Sequence, residues 1–194
     1  MSLSSERIVR AAQDLLTDYG LHDVTMRRLA SELGVRPGAL YYHVPHKQEL
    51  LRRVAHQLLA PLQNTDAGPF ELMQQFRDLV LPLRDGGDLL LIAYGLDQRI
   101  PPVPALEASL RIHGLDDKQA RQRSAVIMRF ALGAVAAEQN IALLATAEQP
   151  SSFETASLQR SSAQVSSAEA SSALTTQSAD LYAQGLRSLL AHRN

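Results

Sequence analysis

Residues 34–44 read GVRPGALYYHV, and this stretch decides the fold of the first part of the chain. Two glycines and a proline crowd into five positions, and two tyrosines and a histidine follow in a chain with only 5% Phe, Trp and Tyr. Gly34 can end one helix, and Pro37 suits the first turn of the next, where its missing N–H costs nothing. Pro45 disfavours helical geometry at the residue before it. The pattern therefore predicts a tight turn and then a short helix over residues 37–44.

The residues on either side of this stretch predict further helices. Apolar residues recur at helical spacing over residues 6–19, and Gly20 can end that helix. Thr25 is a natural N-cap for a second helix, which Gly34 ends. A helix, a tight turn and a short helix form a helix-turn-helix arrangement. We expect a fourth helix, at about 47–60, to link this unit to the remainder of the chain.

The short helix is predicted to carry its rings on the outside. On a helical wheel Leu40 and Val44 are one turn apart and face the core of the small bundle, which leaves Tyr41, Tyr42 and His43 on the other sides. A helix about 12 Å long fits the major groove of DNA, where hydroxyls can donate to phosphates and rings can pack on thymine methyls. Spacing alone leaves another interpretation open, in which the tyrosines are core residues and a neighbour satisfies the histidine.

Candidate DNA-binding residues are those with a small, aromatic or cationic side chain near the turn. Arg36 and Lys47 flank the short helix and can reach phosphates on either side of it. The start of the second helix, with Thr25, Arg27 and its own N–H groups, suits a backbone oxyanion. The full set is Thr25, Arg27, Arg36, Pro37, Gly38, Ala39, Tyr41, Tyr42, His43 and Lys47.

Composition narrows the class of protein. The chain has 194 residues and a net charge of −1, but residues 1–56 hold eight Lys/Arg against six Asp/Glu. A basic N-terminal unit on an acidic body is typical of a module that meets a polyanion locally, although differences this small also arise by chance. The absence of cysteine excludes disulfides, thiolate metal sites and cysteine nucleophiles. With no signal-peptide pattern and no apolar run near 18 residues, we expect a cytoplasmic protein that does not span a membrane.

The remainder of the chain keeps a helical pattern. No segment alternates in the manner of a strand, so we expect an all-α fold of about 9–10 helices. Residues 146–178 differ, because they are rich in serine and poor in large apolar residues, which predicts a long loop or a weak helix. The further helices are predicted at about 70–83, 88–98, 104–113, 117–145 and 178–192.

Residues 25–51, TMRRLASELGVRPGALYYHVPHKQELL, closely resemble the DNA-binding region of the TetR (tetracycline repressor) family of bacterial regulators. The resemblance covers residues 6–59, and the LYYHV form is similar to the tetracycline-repressor branch. Carried over by position, it implies that Arg27 and residues 36–39 read or approach bases. The rings and the lysine after them would hold or flank the phosphate backbone. His46 departs from the pattern, since relatives often have a better helix cap, and this leaves the start of the fourth helix less well defined.

The resemblance also implies an architecture and a function. Residues 1–46 would form the helix-turn-helix DNA-binding domain, and residues 47–194 a helical domain for ligand binding and dimerisation. The protein would be a repressor that binds a palindromic double-stranded DNA operator as a homodimer, without a cofactor. The long helix and the last helix would pair with their copies. A small-molecule inducer would tilt the fourth helix, change the distance between the two recognition helices and release the DNA.

Polar side chains within apolar stretches are the candidate ligand-binding residues, each with a core or interface role as the alternative. They are Tyr94, Gln98, His113, Met128, Arg129, Gln139 and Asn140. Residues 84–96, RDGGDLLLIAYGL, resemble the segment that carries a metal-binding histidine in the tetracycline repressor, and Leu90 occupies the corresponding position. The resemblance therefore implies no metal site, and an apolar inducer other than a magnesium–tetracycline chelate.

Two other classes of function are alternatives to this one. The six histidines form no metal-binding spacing such as H-E-x-x-H, and the serines form no nucleophile-elbow motif, so we do not expect an enzyme. The second alternative is a helical dimer of the same fold that sequesters a ligand or a protein without binding DNA. Salt-dependent affinity for DNA separates it from a DNA-binding regulator.

Overall fold

The computed structural model describes residues 3–147 and 176–191, and within these ranges the regular structure consists of nine α-helices and two 3₁₀ turns, with no strand. The prediction of an all-α fold is confirmed. Of the serine-rich segment 146–178, residues 148–175 lie outside the described residues. The helices are α1 (Ser5–Tyr19), α2 (Met26–Glu32), α3 (Pro37–His43), α4 (Lys47–Leu58), α5 (Pro69–Val80), α6 (Gly86–Leu96), α7 (Val103–Ile112), α8 (Asp117–Ala147) and α9 (residues 176–190).

Local capping explains the bounds of α2, α3 and α4. The Thr25 hydroxyl accepts a hydrogen bond from the Arg28 N–H at 3.1 Å, as an N-cap should. Gly34 ends the preceding segment with a φ of 66°, a conformation that favours glycine. His46 proves to be a working cap, because its Nδ1 accepts from the Glu49 N–H at 3.1 Å. An imidazole nitrogen thus replaces the serine or asparagine oxygen that relatives were expected to place there.

Two helix bounds differ from the prediction for identifiable reasons. The fourth helix ends at Leu58 and a 3₁₀ turn, Ala60–Leu62, follows it, since Pro61 has no N–H to continue the α-helical pattern. The sixth helix begins at Gly86, two residues earlier than expected. Its second residue, Gly87, lies so close to α8 that a Cβ atom there would come within 2.7 Å of the Cα atom of an α8 alanine.

The helices enclose two hydrophobic cores. Helices α1 to α4 surround the first core, in which Leu40 is fully buried and to which Leu83 and Leu89 contribute from beyond α4. Helices α5 to α9 surround the second. Helix α4 contributes Val54 to the first core and Ala55 to the second, so it belongs to both.

Helices α8 and α9 pack against each other in opposite directions. The Phe130 and Tyr182 rings stack with centroids 5.7 Å apart, and Gly185 leaves room for the phenylalanine ring. Further along, the Arg123 guanidinium donates to the Leu189 carbonyl near the end of α9. The beginning of α9 and the later part of α8 therefore lie at the same end of the bundle.

A buried polar network joins α5, α8 and α9. The Arg77 guanidinium donates to the Glu138 carboxylate at 2.6 Å and lies over the Tyr182 ring at 5.7 Å. The Tyr182 hydroxyl donates to the Met73 carbonyl at 2.8 Å. Burial raises the pKa of the Tyr182 hydroxyl, so it stays protonated and acts as the donor.

One stretch of α8, Asp117–Leu144, is long and apolar enough to cross a membrane by length and composition alone. In the folded chain this stretch lies against α6, α7 and α9, and it contributes Ile127, Met128, Ala131 and Leu132 to the second core. A core helix passes the same test of length and composition, and 33% of the apolar window of α8 is buried inside the folded chain.

Candidate nucleic-acid interface

The tyrosine rings of α3 lie on the outside of the molecule, as the helical wheel predicts. Leu40 and Val44 are fully buried in the first core, whereas Tyr42 is 90% exposed and Tyr41 is 49% exposed. The Tyr42 and His43 rings meet edge to face with centroids 5.3 Å apart. The alternative in which the two tyrosines pack in the core is therefore wrong, since packing requires α3 to bury its aliphatic side instead.

Two neighbouring arginines at the beginning of α2 have different surroundings. Arg28 lies over the Tyr19 ring at 3.8 Å and forms an ion pair with Asp23. Arg27 is exposed, and no hydrogen bond or ion pair within the described residues holds its side chain. The first N–H groups of a helix also lack acceptors within the helix itself. This end of α2 therefore offers a cation and backbone donors to a partner outside the chain.

Two further cations lie beside α3, in a stretch of sequence that contains no acidic residue. Arg36 precedes the helix and is exposed, and Lys47 follows it and is half-buried. The sequence contains no acidic residue between Glu32 and Glu49. The potential around α3 is therefore suited to an anionic partner.

The nearest carboxylate after α3, that of Glu49, is held by arginines of its own helix. Arg52 donates to it at 2.8 and 2.9 Å and Arg53 at 2.6 Å. These contacts, the one with Arg52 foremost, lower the pKa of Glu49 to about 2. Arg53 also donates to the His43 carbonyl at 3.0 Å, which ties the end of α3 to α4. The charge of Glu49 is thus balanced within α4 and does not oppose an anion at α3.

The ten candidate DNA-binding residues all lie on the turn into α2, on the segment 36–43 and at the start of α4. Eight of them are exposed, and His43 and Lys47 are half-buried. The structure thus places them around the outside of the first core. Their contacts with nucleic acid remain a prediction.

Helix α4 is fastened to the end of α6 by a small charged cluster. Asp97 Oδ2 lies 3.0 Å from His56 Nε2 and 3.5 Å from the Arg52 guanidinium. The Arg99 backbone N–H lowers the pKa of the Asp97 carboxyl most, and His56 and Arg52 act in the same direction. These charged contacts join the end of α6 to α4.

The seven candidate ligand-binding residues are not brought into one site. Tyr94 and Met128 are buried in the second core, and burial raises the pKa of the tyrosine hydroxyl. His113 is exposed and its Nδ1 lies 2.8 Å from the carbonyl of Ser109 on its own helix. The other exposed members are Gln98, Arg129 and Asn140. Their role in ligand binding stays a prediction.

Gln139, the seventh candidate, already bonds to the chain itself. Its amide nitrogen donates to the carbonyls of Leu83 at 2.7 Å and Leu81 at 3.0 Å, and lies 3.4 Å from that of Val80. Its amide oxygen accepts from the Gly87 N–H at 2.9 Å. These bonds satisfy backbone groups where α5 ends and α6 begins, and they account for a half-buried amide without any ligand.

A cavity of about 440 Å³ opens between the beginning of α8 and the end of α9. None of the seven candidates lines it. Its walls are Leu115, Gln119, Gln122, Arg123, Val126, Ser188, Leu189 and Ala191. These residues come from two helices that are far apart in sequence, so no local pattern could have identified them.

The sequence pattern alone does not single out Asp85 as a residue that joins two parts of the fold. It is the non-glycine residue with positive φ (54°) among the described residues. Its Oδ2 accepts a hydrogen bond from the Leu21 N–H at 2.8 Å, a contact between the turn after α5 and the turn after α1. The residues RDGG, 84–87, signal a turn, but nothing local indicates its partner 64 residues away.

Within the described residues no group of three or more His, Cys, Asp or Glu side chains could hold a metal ion. Leu90 is fully buried in the second core. The position that the resemblance matches to a metal-binding histidine is therefore a leucine within the apolar packing.

Comparison with known proteins identifies relatives for most of the chain. Residues 8–54 match the family model described as bacterial regulatory proteins, tetR family. The tetracycline repressor protein class A from transposon 1721 of Escherichia coli is 33% identical over 149 residues, which are 71% of this chain and 68% of that protein.

Two solved structures extend the likeness to the fold. A structure of BioQ with its double-stranded DNA operator is 32% identical, with a TM-score of 0.68 over 74% of this chain and 90% of that one. The BioQ of Mycobacterium smegmatis is 28% identical, with a TM-score of 0.74 over 97% of this chain and 96% of that one. The likeness therefore covers both the N-terminal helices and the body.

Proposed function

The chain belongs to the TetR family of bacterial regulatory proteins, and from this premise we propose that it is a ligand-responsive repressor. In this proposal it binds a palindromic operator as a homodimer, and a small-molecule inducer releases it. The relatives named above include a tetracycline repressor and a regulator solved on its DNA operator. They are regulators of transcription rather than enzymes, and no residue here is assigned to catalysis.

The observation that carries the proposal is the exposure of the α3 rings beside cations that have no ion-pair partner among residues 3–147 and 176–191. Tyr42 is 90% exposed, and Tyr41 beside it is 49% exposed, so two neighbouring rings lie on the surface of one short helix. Arg36 and Lys47 lie at the two ends of the same short helix. A helix of seven residues, about 10 Å long, spans a few base pairs of the major groove. In the proposal these groups contact phosphates and base edges of one half-site.

A single short helix reads too little sequence for a specific site, so the proposal includes a homodimer. The outward side of α8 carries an apolar stripe at helical spacing, with small residues at its centre that allow close approach. The stripe consists of Val126, Gly133, Ala137, Ile141 and Leu144, all of which are exposed. Leu181 on the neighbouring α9 is 60% exposed. We propose that α8 and α9 pair with their copies, which gives a two-fold symmetric interface.

We propose the division of labour between residues 1–46 and 47–194 on the basis of the two cores. Helix α4 contributes to both cores and is fastened to the end of α6 through Asp97. A ligand that favours one packing of the body would move α4 and change the separation of the two α3 helices. The ligand can shift this equilibrium only by its differential affinity for the two states.

The inducer is proposed to be a fairly apolar molecule other than a magnesium–tetracycline chelate. The side chain at position 90 is a buried leucine, which cannot ligate a metal. Tyr94 of α6 and Met128 of α8 lie in the second core, and they remain the buried candidates for contact with the inducer. A cytoplasmic location follows from the proposed action on chromosomal or plasmid DNA.

A titration of the full chain with a random duplex pool at two salt concentrations tests the proposal. We expect binding that weakens steeply, by about 10³-fold or more between roughly 50 and 200 mM salt for a protein with six or more phosphate contacts. Tyr42→Ala should weaken binding while the oligomeric state stays unchanged. A stable two-fold dimer with no salt-dependent affinity for DNA would support sequestration of a ligand or protein instead.

A further inference from the structure

The contacts of Gln139 and Asp85 form a connection between α8 and the first three helices that does not pass through α4. We propose that this connection sets the position of the DNA-binding helices relative to α8, and that Gln139 and Asp85 are its positioning residues. The consequence is that they govern which spacing between half-sites the dimer accepts. The inference rests on the proposed function, because it takes α8 as a dimer helix and α3 as the recognition helix.

The first half of the connection holds the turn after α5 against α8. The Gln139 amide bonds at 2.7 to 3.4 Å to three carbonyls of residues 80–83 and at 2.9 Å to the Gly87 N–H. Gly87 also packs directly on Ala136, where a Cβ atom would approach within 2.7 Å of the backbone. The turn is thus bonded on both sides and cannot shift along α8 without breaking these contacts.

The second half holds the same turn against the segment between α1 and α2. Asp85 has a φ of 54°, and this conformation accompanies a carboxylate that accepts from the Leu21 N–H at 2.8 Å. Gly20 lies so close that a Cβ atom there would come within 2.5 Å of the Asp85 Oδ2 atom. Leu83 and Leu89, on either side of Asp85, are buried in the first core. The turn is therefore part of both the body and the DNA-binding unit.

A second attachment changes what the DNA-binding unit can do. With α4 alone, the unit could rotate about one helix and present α3 at a range of distances from its copy. With α4 and the Asp85–Leu21 contact together, the unit has two attachment points, and Thr25 at the start of α2 is only four residues beyond the second. One added base pair moves a half-site by about 3.4 Å and rotates it by about 36°, so a doubly attached unit should tolerate little change in spacing.

The experiment uses an operator duplex selected from a random pool, and duplexes in which the half-site spacing is one base pair longer or shorter. The measured quantity is the ratio of the Kd for changed spacing to the Kd for the selected spacing, for the full-length dimer. Gln139→Met removes the amide and keeps the side-chain length. Asp85→Gly removes the carboxylate and suits the positive φ, whereas Asp85→Asn retains an acceptor. Asp88→Asn is the matched control, because Asp88 is an exposed carboxylate three residues from Asp85.

We expect Gln139→Met and Asp85→Gly each to lower the spacing ratio by about fivefold or more, while Asp85→Asn and Asp88→Asn keep the ratio of the unmodified protein. Mere loss of stability would weaken binding to every duplex alike and leave the ratio unchanged. If the Gln139 variant does not fold, the two Asp85 variants decide the outcome by themselves. Folded dimers of Asp85→Gly with an unchanged ratio, or Asp85→Asn behaving as Asp85→Gly, would overturn the inference. Failure of the unmodified protein to bind any duplex would overturn the proposed function instead.

Discussion

Polar side chains on α3 and on α8 differ in whether they bond to other groups of the chain. On α3, Tyr42 is almost fully exposed, and in the part of the chain that the structure describes its ring meets the neighbouring His43 imidazole edge to face and has no hydrogen bond. On α8, Gln139 and Glu138 bond to backbone groups and to a buried arginine from another helix. A polar side chain that stabilises the fold has its bonding partners within the chain. A candidate binding residue is therefore recognised by polar groups that are exposed and have no such partner.

The largest expected effect is on stability, when the polar network between α5 and α8 is broken. Glu138→Ala leaves the Arg77 guanidinium buried without its carboxylate and should lower the free energy of unfolding by about 3–5 kcal/mol. Asp78→Ala is the matched control, because Asp78 contacts the same guanidinium at 3.6 Å but its side chain is 73% exposed. Removal of Asp78 should change stability by less than about 1 kcal/mol. Chemical denaturation at one protein concentration measures both, and equal losses would contradict this account of α8.

The second expected effect compares neighbouring arginines of α2. Arg27→Ala should reduce discrimination between the preferred and a changed base pair by about 1–3 kcal/mol, because a bidentate contact to a base would be lost. Arg28→Ala should instead act mainly on stability, since Arg28 packs on Tyr19 and pairs with Asp23. Duplex competition assays and thermal unfolding of both variants separate the roles. Unchanged base preference in Arg27→Ala would remove that residue from the set that reads bases.

The third expected effect separates the role of the Tyr42 ring on α3 from that of Lys47 at the start of α4. Lys47→Ala should weaken binding to all duplexes alike and reduce the slope of log affinity against log salt by about 0.9. Tyr42→Ala should weaken binding more than Tyr42→Phe if the ring face makes the contact, and equally if the hydroxyl does. Fluorescence titrations over a range of salt concentrations give both quantities. A Lys47→Ala variant with an unaltered salt slope would show that this lysine does not contact a phosphate.

The smallest expected effect concerns the cap of α4. His46→Ala removes the Nδ1 acceptor of the Glu49 N–H and should lower the free energy of unfolding by about 0.5 kcal/mol. His46→Asn should recover that loss, because asparagine is a preferred N-cap. The measurement is equilibrium denaturation of the three proteins. A stable His46→Ala variant equal to the unmodified chain would mean that the 3.1 Å contact contributes nothing to α4.

The helices and the exposed rings could be predicted because they depend on neighbours in sequence. Thr25, Gly34 and Pro37 each mark a helix end through backbone chemistry that acts within four residues. The apolar spacing of Leu40 and Val44 determines which side of α3 is buried, and hence that the tyrosines are exposed. Bounds were less accurate at α6, whose start depends on close packing of Gly87 against another helix.

The partners of polar residues in the body could not be predicted, because they are set by tertiary packing. Gln139 and Tyr94 are both polar residues in apolar stretches, yet one bonds to a turn and the other lies in the core. The Asp85–Leu21 contact joins positions 64 residues apart. Nothing in residue type or local spacing encodes such a pairing, so the sequence reveals candidates and the fold decides which of them remain available.

The central claim is that the exposed rings and cations around α3 bind DNA as one half of a two-fold pair. Selection of bound sequences from a random duplex pool by the full-length protein tests this most directly. The account predicts enrichment of an inverted repeat with one fixed spacing between its halves, and loss of that enrichment in the Tyr42→Ala variant. Enrichment of a single unrepeated motif, or none at all from a folded protein, would contradict it.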